Sequence, residues 1–150
     1  MKEWWDGRDL TNLLLKQFFY HFRNTIFIVE NQKELIGFFM GYFSQVQSNE
    51  AYIHFVAVNP NKRKAGIGRF LYETFFTLCK EQGRTIVRSC TAPINIKSIE
   101  FHLHMGFRIE PGNGEINRFP VTLDYLGQND HKVLFLKELT MKLTASAERK

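Results

Sequence analysis

The sequence predicts a mixed α/β fold in which helices flank a mostly antiparallel central sheet. Short apolar runs typical of strands alternate with segments whose apolar residues recur at the period of a helix. Residues 25–29 and 35–43 are both strand-like and flank a turn at 31–33, which is the pattern of an antiparallel hairpin. A chain of 150 residues can bury one core. We therefore expect a single domain over residues 1–150.

The first elements are a helical N-terminal segment and two strands. Residues 1–24 are expected to be helical, with one amphipathic helix over 11–23 that places Leu14, Phe18 and Phe22 on one face. Trp4 and Trp5 either dock that helix or wall a substrate pocket, and docking is the favoured interpretation. In the second strand, Gly37 and Gly41 would let a helix or a ligand approach closely.

The central strand, residues 51–58, is apolar on both faces and is followed by the turn Asn59–Pro60. A helix follows, with Ile67, Phe70, Leu71, Thr74, Phe75, Leu78 and Cys79 predicted to form its inner stripe. Gly83 ends this helix.

The second half is predicted to contain a strand over 84–90, a helix from about Asn95 to His104, and a short strand starting at Phe107. A loop over 111–120 and a strand over 133–137 follow. Residues 145–150 are expected to form a flexible polar tail.

Composition narrows the possible partners. The net charge of +5 and the pI near 9.3 suit a phosphate-bearing ligand, and would also suit a nucleic acid. Cys79 and Cys90 lack metal or redox spacing, so we expect buried reduced thiols and no metal site. Since no apolar run is long enough to cross a membrane, we expect no membrane partner and a cytoplasmic location.

The stretch from Val56 to Leu71 carries the first chemical signal. Strand, glycine-containing turn and helix start follow one another, and this order presents free backbone N–H groups and a positive helix end to an anion. Gly66 and Gly68 lie in the turn, behind a cationic loop. An ordinary tight turn is the competing interpretation. The glycine patterns of P-loops and Rossmann folds are not met.

A second segment strengthens the signal. Arg63-x-x-Gly66-x-Gly68 is followed by Asn95-x-x-Ser98-Ile99-x-Phe101-His102-x-x-Met105-Gly106-Phe107. Together these segments resemble motifs A and B of the GNAT superfamily of N-acetyltransferases. The resemblance is closest over 51–107 and looser over 25–139. It implies a GNAT-like sheet, here with its first strand missing or borrowed from another chain, so a homodimer is a possible assembly.

The resemblance also implies acetyl-CoA as co-substrate, bound in a gap beside the central strand. Backbone N–H groups of the loop and helix start would hold the pyrophosphate, and the end of the central strand would pair with the pantetheine arm. The cofactor-binding residues that it implies are Val56, Ala57, Val58, Arg63, Lys64, Ala65, Gly66, Ile67, Gly68, Arg69, Asn95 and Ser98.

Three side chains are catalytic candidates. His54 is the one readily titratable group in the apolar central strand, and it would act as base through a water molecule unless it is a core histidine. Tyr52 shares its face if no bulge intervenes. His102 stands where many family members have a Tyr that donates a proton to the thiolate; it either takes that role or packs within its helix.

The expected function is therefore an acetyl-CoA-dependent N-acetyltransferase that transfers the acetyl group directly to a primary amine. No Cys or Ser is set up as an acyl-enzyme nucleophile. A small-molecule acceptor is favoured, and its identity stays open. The alternatives are an acyltransferase acting on a nucleic-acid-linked or protein amine, and a non-catalytic CoA-binding protein.

Overall fold

The computed structural model describes residues 2–5 and 7–141. Its helices are α1 (Lys16–His21), α2 (Ile67–Glu81) and α3 (Ile96–His104), and short 3₁₀ turns cover Lys2–Trp5, Thr11–Leu13, Arg23–Thr25 and Pro60–Ala65. The strands are β1 (Ile26–Asn31), β2 (Glu34–Phe43), β3 (Glu50–Val58), β4 (Ile86–Thr91), β5 (Arg108–Ile109), β6 (Gly114–Ile116), β7 (Phe119–Val121) and β8 (Val133–Glu138).

Six strands form one mixed sheet in the order β1-β2-β3-β4-β8-β5. Every neighbouring pair is antiparallel except β3 and β4, which run parallel. α2 and α3 pack on one face, hereafter the helix face, and the N-terminal residues cover part of the other face. The fold class predicted from the sequence is confirmed.

The sheet begins with the predicted hairpin. β1 and β2 are joined by Gln32 and Lys33, both of which have positive φ, as a two-residue hairpin turn requires. Among the described residues, no strand precedes β1 or pairs with its outer edge. Within the described part of this chain, β1 is therefore an edge strand, and a strand from another chain pairing with it stays a prediction.

Helix α2 lies directly over the glycines of β2. A Cβ atom at Gly37 would lie 3.4 Å from the Ile67 side chain, and one at Gly41 would lie 3.0 Å from the Phe75 ring. The close approach expected at these glycines is that of a helix. The predicted inner stripe is partly wrong: Phe70 is 60% exposed, while Tyr72 and Phe76 are buried.

The single helix predicted over residues 11–23 is wrong. The chain instead forms a 3₁₀ turn, the six-residue α1 and a second 3₁₀ turn. At Leu15 the backbone is extended and no side chain caps α1. Leu10, Leu13 and Leu14 all pack against the sheet. They do so from an irregular chain that follows the sheet surface, and not from one face of a single helix.

The second half follows the prediction with one exception. The side chain of Asn95 caps α3 by accepting a hydrogen bond from the Ser98 N–H at 3.4 Å, and Gly106 ends the helix with φ of 87°. The predicted loop over 111–120 contains the hairpin β6–β7, whose turn residues Asn117 and Arg118 both have positive φ. The tail predicted over 145–150 lies outside the described residues.

Candidate active site

The parallel strands β3 and β4 pair only at their beginnings. Their partners run from Glu50 with Ile86 to Tyr52 with Arg88. Beyond this point the two strands diverge, and the described residues show no further pairing between them. The space between β3 and β4 past Tyr52 is hereafter the gap.

A β-bulge in β3 lies at the start of the gap. Phe55 is opposite Met40 and Ile53 is opposite Gly41, so His54 is one extra residue on β3. Bulges bend a strand and increase its twist, and they are frequent beside active sites. Ile53 packs on the helix face, whereas Phe55, two residues later, packs with the N-terminal residues on the other face. In a regular strand these two side chains would share a face, so the bulge reverses the alternation just where the gap opens.

A cavity of about 860 Å³ runs through the gap. Tyr72 and His102 line it from the helix face, and Leu13 and Tyr42 line it from the opposite face. The cavity consequently joins the two faces of the sheet. Two reactants that approach from opposite faces can meet there.

The loop before α2 forms one end of the site. Gly66 has φ of 73° and precedes α2, and no side chain caps that helix. The first N–H groups of an α-helix have no intrahelical partner, so they are available to an anion. Gly68 has a different role: a Cβ atom there would lie 3.3 Å from the Phe101 ring of α3, so glycine lets the two helices come close.

The side chain of Arg63 does not point to this helix end. Its Nη2 donates to the Trp4 carbonyl at 2.8 Å, and its Nε donates to the Val58 carbonyl at 3.4 Å. Asn95 and Ser98 line the cavity at the start of α3. Arg69 is exposed in the first turn of α2 and pairs with Glu73 at 3.4 Å.

His54 is a half-buried, hydrogen-bonded histidine that lines the cavity. Its Nε2 lies 2.8 Å from the Leu13 carbonyl oxygen, and its ring stacks on Phe18 with centroids 4.7 Å apart. Since a carbonyl only accepts hydrogen bonds, Nε2 carries a proton. In the neutral ring, Nδ1 is then the nitrogen that can accept a proton.

His102 is enclosed by protein. Its Nδ1 donates to the Ser98 carbonyl at 2.7 Å, and its Nε2 lies 3.1 Å from the Tyr72 hydroxyl. The ring stacks on Phe135 with centroids 4.3 Å apart. Burial lowers the pKa of His102 to about 4, against a smaller upward effect of the Ser98 hydrogen bond. The ring is neutral near pH 7, and Tyr72 donates to it. This geometry favours packing over the proton-donor role.

Tyr52 lies in a cluster of cavity-lining side chains with Cys90 and Tyr125. Its hydroxyl interacts with both partners, and burial raises its pKa. Burial likewise raises the pKa of the Cys90 thiol. Tyr52 therefore remains protonated at neutral pH and can donate a hydrogen bond, while its raised pKa makes it a weaker acid than an exposed tyrosine. Cys79 is buried as expected, whereas Cys90 is only partly buried and faces the cavity.

Two cationic side chains near the gap, Arg88 and Lys132, are paired with carboxylates. Lys132 binds Asp130 at 2.6 Å, and Arg88 binds both Glu50 and Glu110. Among the residues that the structure describes, no three His, Cys, Asp or Glu side chains cluster as metal ligands. No described helix is long and apolar enough to span a membrane.

Comparison with known proteins shows to which family the chain belongs. The model of the acetyltransferase (GNAT) family matches residues 2–107. The chain belongs to the GNAT acetyltransferase family. This match confirms the resemblance seen in motifs A and B and identifies the protein as an N-acetyltransferase. Comparison with curated protein sequences gives no match.

Solved structures share the GNAT fold. Ard1 from Thermoplasma volcanium has a TM-score of 0.74 at 21% identity, over 93% of this chain and 87% of its own. Naa20 from Chaetomium thermophilum, solved with a bisubstrate analogue, has a TM-score of 0.68 at 21% identity, over 88% and 74%. A Bacillus subtilis acetyltransferase in complex with CoA has a TM-score of 0.58 at 18% identity, over 77% and 76%.

In this GNAT chain, the gap brings together several of the predicted residues and some that sequence reasoning missed. His54, Tyr52, Val56, Asn95, Ser98 and His102 all line the cavity. Cys90 and Tyr125 were missed as part of the site. The signal for Cys90 was its position at the end of the strand beside the gap. Tyr125 comes from a loop, and no pattern in the sequence indicates where that loop folds.

Proposed function

We propose that this GNAT chain is an acetyl-CoA-dependent N-acetyltransferase that transfers acetyl directly to a primary amine. The observation that carries the proposal is the cavity through the gap, because it offers a thioester and an amine one meeting point between two faces of the sheet. A small-molecule amine is the favoured acceptor.

Acetyl-CoA is proposed to lie along the helix face. The free N–H groups of Ile67, Gly68 and Arg69 and the positive end of α2 would hold the pyrophosphate. Lys64 and Ala65 would contribute backbone N–H groups before them. The edge of β3 that faces the gap, from Val56 through Ala57 to Val58, would pair with the pantetheine arm in place of β4. The acetyl group then reaches the bulge at His54.

His54 is proposed as the base. The amine nitrogen must lose a proton as it attacks the thioester carbonyl carbon, and a water molecule on Nδ1 of His54 can take it. Backbone N–H groups at the bulge would stabilise the oxyanion of the tetrahedral intermediate. Collapse of that intermediate breaks the C–S bond and releases the CoA thiolate.

The thiolate needs a proton donor, and Tyr52 is the better placed candidate. It stands where β3 and β4 separate and lines the cavity, so its hydroxyl can donate a hydrogen bond to the departing sulfur, although burial raises its pKa and makes it a weaker acid. His102 is neutral and already donates its Nδ1 proton to Ser98. We therefore assign the acid role to Tyr52 and a packing role to His102.

The alternatives receive less support. An acyltransferase acting on a nucleic-acid-linked amine needs a positive surface beside the thiol. Here Arg88 and Lys132 are neutralised by carboxylates. A protein amine is the alternative acceptor, and a non-catalytic CoA-binding protein would bind acetyl-CoA without turnover. We also propose a cytoplasmic location, which suits two free thiols.

The cofactor site is tested by calorimetric titration with acetyl-CoA, desulfo-CoA and NAD. We expect both CoA compounds to bind and NAD not to bind. Arg69→Glu places a negative charge at the helix end and should weaken acetyl-CoA binding about tenfold. Lys80→Glu is the matched control, because it makes the same charge change on the exposed face at the far end of α2. Absence of acetyl-CoA binding to the wild type would refute the proposal.

The base is tested with His54→Gln, in an amine screen that measures acetyl-CoA consumption. Glutamine can still donate a hydrogen bond to the Leu13 carbonyl, but it cannot accept a proton near neutral pH. We expect kcat to fall about a hundredfold, with unchanged tryptophan fluorescence. Retention of wild-type kcat by this variant would show that His54 only holds the N-terminal residues.

A further inference from the structure

Residues 2–5 and 7–15, hereafter the N-terminal segment, form a wall of the cavity on the face opposite α2. Trp5, Leu10 and Leu13 line the cavity from this segment. Trp5 is 6% exposed and meets the Phe55 ring edge-on, with centroids 5.5 Å apart. Its indole Nε1 is buried without a hydrogen-bond partner among the described residues.

Two side chains from the body of the domain hold the main chain of this wall. Arg63 donates to the Trp4 carbonyl at 2.8 Å, and Nε2 of His54 donates to the Leu13 carbonyl at 2.8 Å. Trp4 is 59 positions from Arg63, and Leu13 is 41 positions from His54. These are therefore tertiary hydrogen bonds that fix where the N-terminal segment lies.

Arg63 joins three parts of the site. Its backbone belongs to the loop that leads into α2, the proposed pyrophosphate site. Its guanidinium spans from the Val58 carbonyl, at the end of β3, to the Trp4 carbonyl. A planar guanidinium has several donors in fixed directions, so it can bridge two carbonyls, whereas the ammonium of a lysine is a single point.

We propose that Arg63 is a positioning residue for the amine acceptor, and that its side chain is not a ligand of acetyl-CoA. The guanidinium holds the N-terminal segment against β3 and so sets the width of the acceptor end of the cavity. The inference rests on the proposed acetyl transfer. It divides the roles of one residue: the backbone serves the co-substrate and the side chain serves the acceptor.

The sequence provides its own probe for this idea. Its two tryptophans are Trp4 and Trp5, so tryptophan fluorescence, excited at a wavelength that tyrosine does not absorb, reports on the N-terminal segment alone. We would compare wild type, Arg63→Met, Arg63→Lys and the control Lys80→Met. Three quantities are measured: acrylamide quenching of tryptophan, the Kd for acetyl-CoA by calorimetry, and the KM for 2-phenylethylamine as amine probe. Circular dichroism melting shows that each variant is folded.

For Arg63→Met we expect stronger quenching, and a KM for the amine about five- to tenfold higher, because a charge-assisted hydrogen bond to the wall is lost. The Kd for acetyl-CoA should stay within twofold of wild type. Arg63→Lys should be intermediate, and Lys80→Met should match wild type.

Two results would overturn the inference. One is unchanged quenching in Arg63→Met. The other is a rise in the Kd for acetyl-CoA as large as the rise in KM, which would make the side chain a co-substrate ligand. If the wild type binds no acetyl-CoA, the proposed function fails, whereas quenching still decides whether Arg63 holds the wall. If 2-phenylethylamine is not acetylated, the inference is judged on two results for Arg63→Met. Stronger quenching with an unchanged Kd for acetyl-CoA supports it, and unchanged quenching or a raised Kd overturns it.

Discussion

His102 illustrates how a motif residue can become part of the core. Its ring is stacked on Phe135 and uses both nitrogens, one toward Ser98 and the other toward Tyr72. A charged imidazolium there would lose the hydrogen bond from Tyr72 and would sit in apolar surroundings. The protein therefore holds this histidine neutral, and its protonation opposes folding.

We predict that His102 makes the protein less stable in acid. Its folded pKa of about 4 lies below its ordinary value of 6.5, so the unfolded chain binds the proton first. Its contribution to stability is fully present above pH 6.5 and is lost as the pH falls toward 4. The loss amounts to about 3 kcal/mol. The free energy of unfolding, measured by urea titration between pH 7.5 and 4.5, checks this.

The matched variants for this experiment are His102→Gln and His104→Gln. Glutamine at position 102 can still donate to Ser98 and accept from Tyr72, yet it does not titrate. We expect it to remove most of the loss in acid. His104 is exposed, and its substitution should leave the pH dependence intact. An equal fall in stability for wild type and His102→Gln would contradict the assignment.

The catalytic candidates show what single positions in a sequence can reveal. His54 was recognised because it interrupts an apolar strand, and the structure places it at the gap. Its hydrogen bond to Leu13 was not predictable, since the partner is a backbone carbonyl 41 positions away. Carbonyl groups are present at every residue and leave no mark in the sequence. The same limit applies to the bond from Arg63 to Trp4.

At the scale of elements, the contact between α2 and β2 depends on glycine. A Cβ atom at Gly41 would come within 2.9 Å of the Tyr52 carbonyl oxygen and 3.0 Å of the Phe75 ring. At Gly37 the nearest atoms are the Ala57 carbonyl oxygen at 3.1 Å and Ile67 at 3.4 Å. The fit between this helix and the sheet is therefore tighter at Gly41.

We predict that Gly41→Ala lowers the free energy of unfolding by about 1–3 kcal/mol, because the backbone of β3 or the ring of Phe75 must move. Gly37→Ala is the matched control in the same strand and should cost less, since its neighbours need to give way by less. Urea unfolding of the two variants measures the difference. A greater loss for Gly37→Ala would contradict this account of the packing.

Elements with a strong local pattern were predicted well. The hairpin β1–β2, the strand β3, the helix α2 and the cap of α3 at Asn95 follow from periodicity and turn residues. The N-terminal helix was predicted too long because its leucines satisfy a helical period and an irregular path equally well. The hairpin β6–β7 was missed because its strands have three residues each.

At the scale of the molecule, the fold class and the family were predictable, and the connected cavity was not. Motif A follows β3 in the sequence and motif B follows β4, so the two motifs identify the two strands that border the gap. The cavity depends on where β3 leaves β4 and on one extra residue in β3. Both features depend on how the strands pair. The apolar pattern of a single sequence indicates where strands are, but it does not show where their pairing ends.

Because the cavity crosses the sheet, the two reactants can enter it from opposite faces. If acetyl-CoA binds on the helix face, as proposed, the acceptor would approach through the opening on the opposite face. Neither reactant would then have to leave before the other binds, and the bulk attached to the amine would stay outside the site. The surface around that opening, and not the volume of the cavity, would then limit the size of the molecule that carries the amine.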